Sequence, residues 1–345
     1  MFARAFRFRR TRPVRWHQGW GVAALLMTGG NVLAYDGTPA FAMPMQCTVG
    51  VDCWIAKYMD HDPAAREMRD YACGRLAGDG HTGVDIAIRD GKAMAAGVTV
   101  VAAASGRVGR VREGVSDQDV RTTGPAVEGR SCGNGVLVDH GEGWQSLYCH
   151  LRRGSIVVQP GQTVKTGDPL GRVGLSGETE YPHLHFDVLK NGKRIDPFVG
   201  LADEAPAACG RGATPLWTEE VAAQLAYQPF ALYNVGFAPG KPERSAVRSG
   251  AYRIDPFPAT AEVMFLWAEM FGSKAGDEIR FRLTGPDGTV QEETGRFDTP
   301  ALQRIPELRL PRPGARWPSG RYTLTITALR PGIPAQTSTA SVAVP

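Results

Sequence analysis

No stretch of this 345-residue chain holds about 20 consecutive apolar residues, so no ordinary membrane-spanning helix is expected. Acidic residues and lysine are missing from residues 1–34, which carry six arginines (Arg4, Arg7, Arg9, Arg10, Arg12, Arg15). Without those six the formal charge of +4 becomes −2, so the basic character belongs to the leader. The remainder has no basic stripe interleaved with aromatics, which argues against a nucleic-acid partner. Cys-x-x-Cys is absent, and with it the usual spacing of a cysteine-bound zinc. Histidine stops at His185, so imidazole chemistry is confined to the residues up to that point.

What is present begins with the leader. A basic segment to Arg15 precedes an apolar stretch, Gly21–Ala34, of about the length of a signal-peptide core. Small-residue cleavage sites follow Ala34 and Ala42, and the expected signal peptide spans 1–42. The chain is therefore expected in the periplasm, outside the cell or on the cell envelope, with no stable span after cleavage. Six cysteines (47, 53, 73, 132, 149, 209) in an exported chain imply disulfides. Gly135–Asp139 and Trp144–Tyr148 alternate like strands around the turn His140-Gly141-Glu142-Gly143. Folding that hairpin brings Cys149 to Cys132 and predicts their bond. The other four cysteines allow three connectivities.

Residues 43–198 form the expected first domain. Its lead-in is cysteine-rich, and short glycine-punctuated strands follow, such as Val84–Ile88, Val98–Ala102 and Arg107–Val111. Residues between Val111 and Cys132 read as a polar surface loop. The Ala, Gly and Pro content of 199–215 suggests a linker. Beyond it, Ala261–Ala268, Glu278–Leu283 and Gly320–Thr327 alternate, and Gly285-Pro286-Asp287-Gly288 is a strong turn signal. Residues 216–345 are therefore expected to form an immunoglobulin-like β-sandwich.

The histidines carry the chemistry. In Pro182-His183-Leu184-His185-Phe186 a strand places His183 and His185 on one face. A bend at Thr82-Gly83 would fold His81 back toward Asp85. With His185, that pair supplies two imidazoles and one carboxylate, the three-ligand set of a catalytic zinc that keeps one position open. Two imidazoles then remain, His150 and His183. Either can take a proton from an attacking water, and the other can stabilise the oxyanion or protonate the leaving amine. His140, beside two glycines, reads as structural, and His61, in Asp60-His61-Asp62-Pro63, as a solvated loop residue.

These stretches together resemble the M23 family of zinc metallopeptidases, the LytM and lysostaphin-like peptidoglycan hydrolases. The resemblance runs in order through Gly80–Ala87, Gly97–Ala103, Gly133–Gly141, Tyr148–Leu151, Val158–Gly167 and Pro182–Phe186. It implies a mostly β protein: a LytM-type antiparallel β peptidase domain (duplicated hybrid motif) ahead of the sandwich. It also implies His81, Asp85 and His185 as Zn2+ ligands, His150 and His183 as catalytic, and peptidoglycan peptides as substrate. Three features depart from the family's pattern. The loop before Cys132 is long, Glu180-Tyr181 replaces small residues ahead of Pro-His-Leu-His, and the Cys132–Cys149 brace is additional.

Other functions fit the same residues less well. A catalytically silent relative that activates a partner hydrolase would be expected to lose ligands, and all three are here. An iron oxygenase would share two histidines and a carboxylate but leave His150 and His183 idle. A lipoyl-type carrier module, suggested by Gly161–Gly167, would leave all five residues unexplained. The second domain could bind wall, bind a protein partner, or only space the first.

Overall fold

The structure, a computed structural model, describes residues 37–124, 129–201 and 209–345, all within one unit, Ala34–Pro345. Most of the expected signal peptide and part of the expected linker lie outside the described residues. Strand makes up 44% of the described residues and helix 7%, a mostly β architecture as expected.

The short alternating runs of the first domain become ten strands: β1 (Cys53–Lys57), β2 (Val84–Ile88), β3 (Thr99–Val101), β4 (Gly106–Arg112), β5 (Asn134–Gly141), β6 (Trp144–Leu151), β7 (Thr163–Val164), β8 (Pro169–Arg172), β9 (His183–Lys190) and β10 (Lys193–Ile195). Eight of them build one antiparallel sheet in the order β1-β2-β9-β6-β5-β4-β7, with β10 pairing β9. β3 and β8 form a separate two-stranded ribbon. The central strands β2 and β9 are buried along most of their length, which fits their apolar composition (Val84, Ile86, Ile88; Leu184, Phe186, Val188).

The first core is larger than the expected 43–198. Phe41 is fully buried against Phe186 and His140, so the folded unit begins ahead of the second candidate cleavage site. At the other end Leu216, Trp217, Val221 and Leu225 belong to the same core. The described part of the 199–215 stretch is also anchored. Cys209 is bonded to Cys73, Gly212 N–H donates to the Phe198 carbonyl, and Gly200 bridges Thr214. Gly200 and Gly212 permit this close backbone packing, since a Cβ on either would strike the main chain of Thr214 or Val199.

Past residue 230 the chain forms two further four-stranded antiparallel sheets. One contains β11 (Ala231–Ala238), β12 (Val263–Ser273), β15 (Ala301–Arg304) and β16 (Glu307–Pro311). The other orders β14 (Val290–Arg296), β13 (Glu278–Thr284), β17 (Gly320–Arg330) and β18 (Ile333–Val344). Met264, Leu266, Phe281, Leu324 and Ile326 share one core between the two sheets. This is a two-sheet sandwich without cysteine, so it lacks the inter-sheet disulfide of antibody domains. The sandwich also touches the first core, since Tyr233 stacks on Phe271 and both belong to the first cluster.

Candidate metal and catalytic centre

Strand register assembles the site. Across β1, β2, β9 and β6 the paired residues run Lys57, Asp85, His185, Cys149. Asp85 and His185 therefore face each other from the middle of the sheet without any loop having to order. His81 joins them from the turn before β2. That turn needs Gly83, where a Cβ would meet the Phe186 carbonyl at 2.5 Å, Asp187 Oδ1 at 2.8 Å and His185 Nε2 at 3.0 Å.

Three donor atoms converge. His81 Nε2 lies 3.0 Å from Asp85 Oδ1 and 3.2 Å from His185 Nδ1, and His185 Nδ1 lies 2.9 Å from Asp85 Oδ1. Outer partners fix what these atoms can offer. His81 Nδ1–H donates to the Tyr58 carbonyl at 2.7 Å, leaving Nε2 as a lone pair. His185 Nε2 lies 3.4 Å from Asp187 Oδ2, which directs that proton away from Nδ1. Two lone pairs and a carboxylate oxygen then point into one small volume, an arrangement that repels itself unless a cation sits there. A tetrahedral zinc with bonds of about 2.0–2.1 Å holds its ligand atoms about 3.3 Å apart, close to these spacings. The donor set fits that ion.

The field at the site favours positive charge. Burial pushes the Asp85 carboxyl up, but the surrounding His81, His183 and His185 outweigh it and hold it well below the usual range. Burial pushes His185 down, yet its bonds with Asp187 and Asp85 lift it to about 10. A proton or a metal ion would answer the same two carboxylates.

His150 and His183 stand beside this cluster with their rings 4.6 Å apart. Main-chain carbonyls fix both tautomers: His150 Nδ1–H donates to Ser176 at 2.7 Å, and His183 Nδ1–H to Tyr181 at 2.9 Å. In each ring Nε2 is the atom left for chemistry. His183 Nε2 lies 3.3 Å from Asp85 Oδ1. Burial, reinforced by His183 and His185, holds His150 well below its ordinary value, so it is neutral near pH 7 and able to accept a proton.

His150 reaches this position through unusual backbone. Successive residues of a strand face opposite sides, and Cys149 is occupied with Cys132. His150 adopts a positive φ of 62°, a left-handed conformation costing a non-glycine residue about 1–2 kcal/mol. Its N–H donates to the Cys132 carbonyl at 2.8 Å, so the expected Cys132–Cys149 bond holds the strained residue from both sides.

All five candidate residues come together. The other histidines divide differently. His140 is buried and structural as expected, with Nδ1–H donating to the Ser105 carbonyl and Nε2 2.8 Å from Ser146 Oγ. His61 is not the solvated loop residue expected. Its Nε2 lies 2.7 Å from Asp196 Oδ2 and the ring is mostly buried, because a residue 135 positions away supplies its partner.

Sequence reasoning passed over three neighbours. Asp187 shares a face with His185 by the period of two, and that signal was available. Lys57 Nζ lies 3.6 Å from Asp85 Oδ2, and the Tyr181 hydroxyl 3.5 Å from the same oxygen. Both depend on pairing or loop placement that no local pattern encodes. The site opens into a cleft of about 840 Å³.

Residues 79–197 match the sequence model of Peptidase family M23. An uncharacterized metalloprotease of Haemophilus influenzae is 31% identical over 117 residues, covering 34% of this chain and 20% of its own. The DD-carboxypeptidase/endopeptidase Mpg of Neisseria meningitidis is 30% identical over 117 residues, 34% of this chain and 22% of its own. The peptidoglycan DD-endopeptidase ShyB of Vibrio cholerae is 36% identical over 64 residues, 19% of this chain and 15% of its own. The chain thus spans no more than about a fifth of the length of these relatives.

Proposed function

We propose that this protein, whose residues 79–197 match the sequence model of Peptidase family M23, is an exported zinc endopeptidase that hydrolyses peptide bonds in peptidoglycan stem peptides or cross-bridges. The observation that carries the reading is the convergence of His81 Nε2, Asp85 Oδ1 and His185 Nδ1 within 3.2 Å, beside two more tautomer-fixed imidazoles.

In this reading His81, Asp85 and His185 hold the metal. Zinc in such a site supplies Lewis acidity, polarising a peptide carbonyl and acidifying a water. The rest is done by the chain. Asp187 and the Tyr58 carbonyl keep the ligand imidazoles in the right tautomer. His150 Nε2 takes the proton of the attacking water, which suits its neutral state. His183 Nε2 stands on the same side as Asp85. Because Nδ1–H is committed to the Tyr181 carbonyl, it donates to the developing oxyanion or the leaving amine only as the imidazolium, with a proton taken up at Nε2. The disulfide keeps His150 from relaxing out of its left-handed conformation. Relatives named for DD-endopeptidase action support a cell-wall peptide as substrate, and three disulfides suit an oxidising compartment.

Two single variants test the division of labour. His185→Ala should lose both zinc and hydrolysis. His150→Ala should keep about one zinc per chain, by elemental analysis of the dialysed protein, and lose turnover. Full turnover in His150→Ala would refute the role given to it.

A further inference from the structure

The C-terminal sandwich forms part of the cleft wall. Arg244, which opens the short helix Arg244–Ser249, lines it with Leu302 and Gln303 of β15 and with Arg121 of the 111–132 loop. Arg248 lies one helical turn beyond Arg244 and is fully committed. Its Nε donates to Glu269 Oε1 at 3.1 Å, and its Nη1 to the Glu180 carbonyl and Oε2, both at 3.1 Å. The Arg248 guanidinium also covers the Tyr181 ring at 5.2 Å. Glu180 is shared, since Arg121 pairs with the same Oε2.

Arg244 is different. It donates one hydrogen bond, to Gln303 Oε1 at 3.2 Å. Among the described residues no carboxylate lies within 4.0 Å of it. Three guanidiniums therefore meet two carboxylates, Glu180 and Glu269, and the surplus charge sits on a partly buried side chain facing the cleft. Burial, with repulsion from Arg248 and Arg121, lowers the Arg244 pKa against the opposing pull of Glu269 and Glu180. A half-buried unpaired charge is costly, and a guanidinium fork matches a carboxylate with two parallel bonds. Asp79 and Glu178 also line the cleft and would oppose a more highly charged anion.

We propose that Arg244, with Arg121, is a carboxylate-binding subsite that the sandwich contributes to the cleft, selecting peptides with a free carboxylate near the bond to be cleaved. The selection of a substrate rests on the proposed hydrolysis; the anion subsite does not. It gives the second domain a part in recognition, and it gives Glu180-Tyr181 a reason to differ from small residues, because that dipeptide is the seat against which the arginines are organised.

The test uses cross-linked muropeptide dimers and the same dimers with their carboxyl groups converted to amides by carbodiimide and ammonia. Affinity is measured on full-length zinc-loaded His150→Ala, and kcat/KM on the wild-type protein. The free acids should bind roughly ten- to a hundredfold more tightly than the amides, as a charge-assisted pair would give. Adding Arg244→Gln should bring that ratio close to one, while Arg244→Lys should keep part of it. A ratio near one without any change at Arg244, or a ratio that survives Arg244→Gln in a natively folded variant, overturns the subsite. If Arg244→Gln does not fold, Arg121→Gln and the acid-to-amide ratio of the parent protein decide in the same way. Equal binding with efficient cleavage of both forms would remove the subsite and leave the hydrolase. Acid-selective binding without any cleavage would keep the subsite and remove the hydrolase.

Discussion

Adding one methyl group at Gly83 should damage both stability and metal binding. The turn that carries His81 passes so close to β9 that a Cβ would sit 2.5 Å from the Phe186 carbonyl, 2.8 Å from Asp187 Oδ1 and 3.0 Å from His185 Nε2. The first contact is with backbone in the middle of a sheet, which cannot yield cheaply. Overpacking of this kind costs about 1–3 kcal/mol, or roughly 2–5 °C in a chain of this size. The other two contacts are a proposed ligand and its outer partner, so relaxation must move one of them. Disturbing such outer contacts typically lowers metal affinity about 10–100-fold. Gly109→Ala is the matched control. Its Cβ would meet only Leu137, at 3.7 Å or more, and its φ lies outside the left-handed region although the β4–β5 register shifts at this residue, so it should change stability by less than about 1 kcal/mol. Scanning calorimetry gives the stabilities, and competition with a chelator gives the zinc affinities. If Gly83→Ala matches Gly109→Ala in both, the close approach of the turn to β9 is not what shapes the site.

Two further predictions concern the frame around the site. The Cys73–Cys209 bond spans 136 residues, and loop-closure entropy puts its contribution at about 5 kcal/mol; Cys73→Ser with Cys209→Ser should lower the denaturation midpoint strongly, and an unchanged midpoint would show that 209–217 docks without it. Burial lowers the His140 pKa below its ordinary value, against smaller raising effects from Ser105 and Asp139, so the unfolded chain takes up the proton more readily. That contribution is complete above about pH 6.5 and is lost as pH falls toward the lower folded-state value; His140→Asn should flatten stability against pH from 7 to 5, and parallel curves would contradict this.

The parts of the site that local pattern encodes could be read from the sequence. His183 and His185 share a face by strand period, His81 and Asp85 share a turn, and the hairpin from 135 to 148 brings Cys132 to Cys149. What the sequence did not disclose is long-range. His61 finds Asp196, Cys73 finds Cys209, and Arg248 finds Glu180, through packing with no local period. That the described ends of the expected 199–215 linker are anchored was hidden for a related reason. Small residues suit a flexible tether and a tightly packed backbone equally well, and only the bonded neighbours distinguish them. The left-handed backbone at His150 was also out of reach, because composition alone does not say that a histidine will be held there.

The most direct test of the central claim is digestion of purified peptidoglycan by the zinc-loaded protein, followed by mass analysis of the soluble fragments. The account predicts new amino termini from cleaved stem or cross-bridge peptides, absent after metal removal by chelation and restored by added zinc. A protein that binds zinc at His81, Asp85 and His185 yet releases no new amino termini would contradict it, and would favour a silent relative that acts through a partner hydrolase.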